Sequence, residues 1–233
     1  MQTPNDIANI LKTGAWFSNL PEEMQSMLLA AGKKTPLLCG QKLFARGDAP
    51  CGIYAVLDGC VRVTGVASNG KEAILTLIEP AQWFGEIALF DGNARTHDAV
   101  AEVDSVLWHI PQNTLINLLD EQPAYWRPLG QLLTFKLRMA FQAIEDIALL
   151  PAPLRLARRL LILAAANDSK AAPDTIAQKT LLLPQEVLGL MLGISRQTTN
   201  QILRDLEQQG LISLQRSKIC ILDQAALRIY AYQ

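Results

Sequence analysis

Histidine is nearly missing from this chain, with only His97 and His109 among 233 residues. That scarcity leaves little for zinc coordination or for proton transfer near neutral pH, the two roles histidine fills most often. Cys39, Cys51, Cys60 and Cys220 show neither C-x-x-C spacing nor a histidine at ligand spacing, so they read as reduced thiols and no metal site is expected. Also missing are a nucleophile with a neighbouring base and a pair of catalytic carboxylates, which argues against an enzyme. No apolar run approaches the length that spans a bilayer. The first residues, MQTPNDIANILKTG, lack the basic start and apolar core of a signal peptide, so a cytoplasmic protein without a membrane partner is expected. Internal repeats and low-complexity segments are absent too.

The net charge of −1 announces no polyanion, yet it is unevenly divided. Residues 1 to 150 hold 11 basic and 16 acidic side chains, and residues 151 to 233 hold 10 and 6. A balance of about +4 in the C-terminal part favours a polyanionic partner there. Within it lies PQEVLGLMLGISRQTTNQILRDLEQQG, residues 184 to 210. Pro184 is preset for a first helical turn, Gly193 suits the positive φ of a tight turn, and Ser195 suits the cap of a second helix that Gly210 would stop. Two short helices joined this way form a helix-turn-helix, whose second helix enters the major groove of DNA. Ile202, Leu203 and Leu206 make its apolar stripe and leave polar groups for the other face. Arginine and carboxamide side chains read base edges, and hydroxyls suit phosphate oxygens. The candidate contacts to a double-stranded DNA operator are Gln185, Ser195, Arg196, Gln197, Thr198, Gln201 and Arg204. The alternative is a helical hairpin with a solvated polar face. Beyond Gly210, LISLQRSKICIL reads as a β-hairpin with Arg216 and Lys218 near its tip, the wing of a winged helix-turn-helix. A last helix over 224–231 is expected, with Asp223 as its cap.

Upstream, short helices are expected over 5–13 and 21–31. From Lys34 to Ile110, apolar or alternating runs such as IYAVL, CVRVTGV, EAILTLI and SVLWHI alternate with turn signals, the pattern of an antiparallel sandwich or barrel. From Pro111 to Leu150 the pattern is helical. Leu133, Leu137, Ala140, Ile144 and Ile147 are spaced 4, 3, 4 and 3, a coiled-coil seam that predicts a homodimer, with an intramolecular core helix as the alternative. Pro151 and Pro153 end the helix. The domains expected are therefore 1–120 β-rich, 121–150 a dimerisation helix and 151–233 a winged helix-turn-helix, giving an α+β chain.

Residues 84 to 96, FGEIALFDGNART, carry a candidate ligand site inside the β region. Gly85 allows close backbone approach, Arg95 offers a two-pronged cation to a phosphate, Thr96 adds a hydroxyl, and Glu86 supplies the acceptor that a ribose hydroxyl needs. Together they suggest a nucleotide. An Arg95 to Glu86 ion pair closing a loop is the alternative.

Phe84-Gly85-Glu86-Ile87-Ala88-Leu89 with Arg95-Thr96 resembles the phosphate-binding cassette of the Crp/Fnr family, the cyclic-AMP receptor proteins of bacteria. The helix-turn-helix matches in register through G-x-S-R and I-L-R-x-L-E-x-x-G-L-I. The resemblance implies a jelly-roll-like antiparallel β-roll, a long dimer helix, a winged helix-turn-helix, and RNA polymerase as a further partner. It assigns the ribose side to Gly85 and Glu86, with Ile87 and Ala88 beside them, and the cyclic phosphate to Arg95 and Thr96. An allosteric effector such as cAMP or cGMP is implied, with no obligatory cofactor. Where the cyclic-AMP receptor grips adenine with a Thr-Ser pair, this chain has Ala140 and Phe141, which cannot donate a hydrogen bond through their side chains. The effector is therefore open between cyclic AMP, another cyclic nucleotide and none. Gln197 stands where a base-reading Glu is usual and Gln201 where a second Arg is usual, which predicts a different operator.

Overall fold

A computed structural model describes residues 4–166, 179–181, 183–215 and 218–233. They fall into two compact units, one up to Met139 and one of Ala140–Gln233.

The first unit is built on two four-stranded antiparallel sheets. One has the order β1 (Lys33–Leu37), β8 (Ser105–Pro111), β3 (Gly52–Asp58), β6 (Trp83–Phe84); the other is β2 (Lys42–Phe44), β7 (Asp98–Ala101), β4 (Val61–Val66), β5 (Glu72–Ile78). Strand β3 decides the layering. Alternate side chains point to opposite faces of a strand. Tyr54 and Val56 join Phe44, Val61, Ile78, Phe84, Ala99 and Leu107 in one core. Ile53, Ala55 and Leu57 join a second core with Leu11, Phe17, Met24, Leu28, Leu115 and Leu129. The latter come from α1 (Pro4–Lys12), α2 (Ala15–Ser18), α3 (Glu22–Ala31), α5 (Gln112–Glu121) and the start of α6 (Trp126–Leu149). A short α4 (Ile87–Asp91) follows β6.

The helical stretch expected from Pro111 to Leu150 is interrupted. Helix α5 ends at Glu121, and Pro123–Tyr125 form a single 3-10 turn before α6 begins. Pro123 lacks the N–H that an α-helix interior needs, and it biases Gln122 away from helical angles; Gln122 sits at φ −131 and ψ 74. The long helix is thus 24 residues. The change of unit falls inside it, after Met139.

The second unit holds the end of α6, then α7 (Ala152–Ala166), α8 (Gln185–Leu192), α9 (Arg196–Gln208) and α10 (Gln224–Ala231), with a sheet of order β10 (Ile212–Gln215), β11 (Lys218–Ile221), β9 (Lys179–Leu181). Strand β9 pairs antiparallel with β11, Leu181 opposite Ile219 and Lys179 opposite Ile221. Ile202, Leu203 and Leu206 of α9 are buried, as are Leu156, Leu160 and Ala164 of α7. Asp223 caps α10 by accepting from the Ala226 N–H at 2.9 Å. Arg158 of α7 bonds Asp146 at 2.5 Å and the Ala231 carbonyl at 3.0 Å, tying α7 to the end of α6 and to the C-terminal helix. Arg216 lies outside the described residues.

Candidate functional site

The cassette forms where β6 runs into α4. Gly85 sits at φ 93, a conformation L side chains rarely adopt, and a Cβ there would lie 3.0 Å from both Arg95 Nη1 and the Gly52 carbonyl oxygen. The glycine therefore lets the guanidinium lie against the backbone. Arg95 Nη1 donates to the Gly85 carbonyl at 2.7 Å, and Nη2 donates to the Gly52 carbonyl at 2.6 Å and to Cys51 Sγ at 3.1 Å. The Phe44 ring lies 4.3 Å from the guanidinium carbon. Arg95 is only 5% exposed, and no carboxylate pairs with it among the described residues. Its Nε–H is enclosed and makes no hydrogen bond among the described residues. Of five guanidinium N–H groups, three are used and two remain. A buried cation served only by neutral acceptors is unusual, because charges out of water are normally paired.

Glu86 is 1% exposed, and its partner is Lys136 of α6 at 2.7 Å, not Arg95. The Arg95 to Glu86 ion pair weighed from sequence does not form. Fifty residues separate Glu86 from Lys136, so no local pattern points to the lysine. Its carboxylate oxygen and the ammonium form a charge-assisted bond that fixes the cassette to the long helix. Ala88 is buried, whereas Ile87 and Thr96 are exposed. Thr96 Oγ1 lies 2.9 Å from His97 Nδ1. Sequence reasoning also missed the rings that flank Cys51. Tyr54 stacks on His109 at 4.3 Å, its hydroxyl meets Cys51 Sγ at 3.2 Å, and His109 Nε2 lies 2.8 Å from the Cys51 carbonyl. Burial, then the bond to Cys51, pushes the Tyr54 phenol well above its ordinary range, so it stays neutral.

Helix α6 carries the residues expected to form a seam. Leu137, Ala140, Ile144 and Ile147 are exposed and Leu133 is half-buried. Phe135 and Phe141 are exposed as well, so large apolar side chains open to solvent continue along the helix. In water such a row is unfavourable unless another apolar surface covers it.

In the second unit the helix-turn-helix follows from local signals. Gly193 takes the left-handed conformation at φ 66 and ends α8, and Ser195 Oγ accepts the Thr198 N–H at 3.0 Å to start α9. Thr199, wholly buried, bonds the Ser195 carbonyl at 3.0 Å and packs under Gly189 of α8. The outer face of α9 is left to Arg196, Gln197, Asn200, Gln201 and Arg204, which line one open depression. Ser195, Arg196, Gln197, Thr198, Gln201 and Arg204 are exposed, Gln185 is half-buried at the start of α8, and Lys218 is exposed on β11. Neither Arg196 nor Arg204 meets a carboxylate among the described residues. Glu207 instead accepts the Leu214 N–H at 2.7 Å and seats the hairpin against α9.

All four cysteines are free. Among the described residues, no helix is long and apolar enough to cross a membrane.

Comparison with known proteins agrees with both halves. Residues 35–122 match the model of the cyclic nucleotide-binding domain, and residues 154–230 match that of the Crp-like helix-turn-helix domain. The chain is 28% identical to a CRP-like cAMP-activated global transcriptional regulator of Mycobacterium tuberculosis, over 81% of this chain and 83% of that one. It is 29% identical to the cAMP-activated global transcriptional regulator CRP of Haemophilus influenzae, over 73% and 75%. Among solved structures, a CRP/FNR family transcriptional regulator of Thermus thermophilus superposes with a TM-score of 0.69 at 28% identity, covering 86% of this chain and 99% of that one. FixK2 of Bradyrhizobium japonicum superposes at 0.75 with 19% identity, covering 85% and 96%, a likeness of fold.

Proposed function

The chain belongs to the Crp/Fnr family and is a DNA-binding transcription regulator with a cyclic nucleotide-binding domain, and from that premise we propose that it acts as a homodimer switched by a cyclic nucleotide held between Arg95 and Glu86. The observation that carries this reading is Arg95, a buried guanidinium with no carboxylate partner and an unpaired Nε–H among the described residues. A singly charged cyclic phosphodiester supplies the missing anion, and Thr96, next in the same loop, adds a hydroxyl. Glu86 accepts from the ribose. In doing so it competes with Lys136 for the same carboxylate oxygens, so the ligand favours the α6 arrangement in which that competition is relieved. Only such a difference in affinity between arrangements moves the equilibrium.

The apolar row along α6 pairs with the same row of a second copy, through Leu133, Leu137, Ala140, Ile144 and Ile147. Two copies present two α9 helices to two half-sites of an operator about one helical turn apart. Arg196 bonds guanine, Gln197 and Gln201 read neighbouring bases, and Ser195, Thr198, Arg204, Gln185 and Lys218 hold phosphates. Cytoplasmic location and contact with RNA polymerase follow from the same role.

A second reading keeps the DNA and changes the effector. Ala140 and Phe141 offer no side-chain hydrogen bond to a purine, which favours a ligand recognised through phosphate and sugar alone, or by different groups. Isothermal titration of the purified dimer with cyclic AMP and cyclic GMP decides between the two. Saturable binding of either, lost in a folded Arg95→Leu variant, supports the nucleotide switch. Heat from neither nucleotide, with operator binding intact, moves the assignment to another effector.

A further inference from the structure

On the DNA-reading face of α9, the Gln201 side chain is tied to a neighbour. Gln201 Nε2 donates to Asp205 Oδ1 at 2.8 Å, one helical turn further along. A carboxylate can only accept, so the nitrogen arm of the amide must face Asp205, and which arm is nitrogen is settled by the partner. The other arm, Oε1, has no partner among the described residues. Resting on the assignment of α9 to the major groove, we propose that Asp205 is a positioning residue for sequence specificity: it holds the Gln201 carboxamide with its oxygen toward the groove, so that Gln201 selects adenine.

The chemistry of the base edges gives the direction. An untethered glutamine can turn over, offering its NH2 to the O6 and N7 acceptors of guanine or its oxygen to an amino group. Asp205 removes the first option. A fixed Oε1 needs a donor, which only adenine N6 and cytosine N4 provide in the major groove. The second N–H of the amide remains and finds an acceptor in adenine N7 but none on cytosine. The order is therefore adenine, then cytosine, with guanine and thymine rejected because acceptor would face acceptor. Arg196, five residues earlier, keeps its guanine. The charge of Asp205 works against affinity, since a carboxylate beside α9 repels the phosphate backbone. Specificity and affinity are thus set against each other at this residue, which a structural role alone does not produce.

The test is selection of half-sites from randomised duplexes by the full-length chain, in separate arms with cyclic AMP, with cyclic GMP and with neither. The wild type is expected to enrich adenine at one position per half-site, the position that Gln201→Ala flattens. Asp205→Ala lowers the adenine-to-guanine ratio there about tenfold, leaves the rest of the motif unchanged, and binds random DNA at least as tightly as the wild type. Asp205→Asn, which keeps an acceptor oxygen without the charge, falls between. Asp205→Ala combined with Gln201→Ala adds nothing further at that position. An Asp205→Ala motif identical to that of the wild type, or guanine or thymine at the position Gln201 controls, overturns the proposal and leaves DNA binding standing. A wild type that enriches no sequence in any arm overturns both.

Discussion

The cassette and the reading helix hold their charges in opposite ways. In the first unit Glu86 and Arg95 are sealed from solvent and engaged with Lys136, backbone carbonyls and a thiol. In the second unit Arg196, Gln197 and Arg204 stand exposed on a helix held in place by other residues, Ile202, Leu203 and Leu206. The polar groups of the cassette are therefore part of its architecture, whereas those of α9 are carried by an architecture that does not need them. A substitution in the cassette should disturb fold and function together. One on the outer face of α9 should disturb function alone.

Arg95→Leu should break this contrast most visibly. It leaves the Gly85 and Gly52 carbonyls without their donor, and unsatisfied buried acceptors cost about 1 to 3 kcal/mol each. We expect at least a hundredfold loss of cyclic-nucleotide affinity by calorimetry, together with a lower unfolding midpoint. Arg196→Ala is the matched case on α9. It should lower affinity for the selected operator about tenfold while changing stability by under about 0.5 kcal/mol. Equal stability losses in the two variants would dissolve the comparison.

Lys136→Met comes next. It strands the Glu86 carboxylate in a closed site, which costs about 3 to 5 kcal/mol for fully buried pairs and about 2 here, because the lysine is still a third exposed. All four tryptophans, Trp16, Trp83, Trp108 and Trp126, lie in the first unit, so urea unfolding followed by tryptophan fluorescence reads that unit alone. Adding Glu86→Gln to Lys136→Met should recover much of the loss. A double variant no more stable than Lys136→Met would mean that the lysine acts by packing and not by charge.

The same contrast explains what can be read from the sequence. Pro184, Gly193, Ser195 and the stripe Ile202, Leu203, Leu206 are signals within one turn or two of the structure they produce, and α8, the turn and α9 stand where those signals put them. Strand β3 is visible as an apolar run, but both its faces are buried, so no alternation tells which residues serve which core. Strand β1, Lys-Lys-Thr-Pro-Leu, sits at a sheet edge with mostly open side chains and carries no strand pattern. Three-residue β9 is too short to register. In the cassette the residue types are legible, while the partnership of Glu86 with Lys136 is not, because periodicity is silent about contacts fifty residues apart. The tie from Gln201 to Asp205 spans a single turn and follows the ordinary i to i+4 rule, a signal present in the sequence.

Lys218→Ala tests the second unit more finely. A phosphate contact on the wing contributes to affinity through released counterions and carries no base information. The slope of log affinity against log salt should fall by about 1, equally on the selected operator and on random DNA. A change confined to the operator would make Lys218 a base-reading residue.

The smallest expected effect is one of pH, and it separates the units once more. Both histidines lie in the first unit. Burial, and then Arg46, lowers the His97 pKa below its ordinary value; burial, then Lys33 and Arg95, does the same for His109. A histidine that resists protonation when folded binds fewer protons than it does unfolded. Its contribution is therefore complete above about pH 6.5 and is lost as pH falls from there through the folded value. Asp98, held low by its bond to Lys42, acts only below about pH 4 and so lies outside this window. Both rings are partly solvated, so the loss between pH 7.5 and 5.5 should amount to about a few tenths of a kcal/mol. Urea midpoints read by tryptophan fluorescence should fall slightly over that range, and His97→Gln combined with His109→Gln should flatten the dependence. Hydrogen exchange of α8 and α9, in a unit without histidine, should show no matching acid softening. If those helices loosened first, the acid-sensitive element would lie in the DNA-binding half, and the division between an architectural charge set and a displayed one would have to be drawn elsewhere.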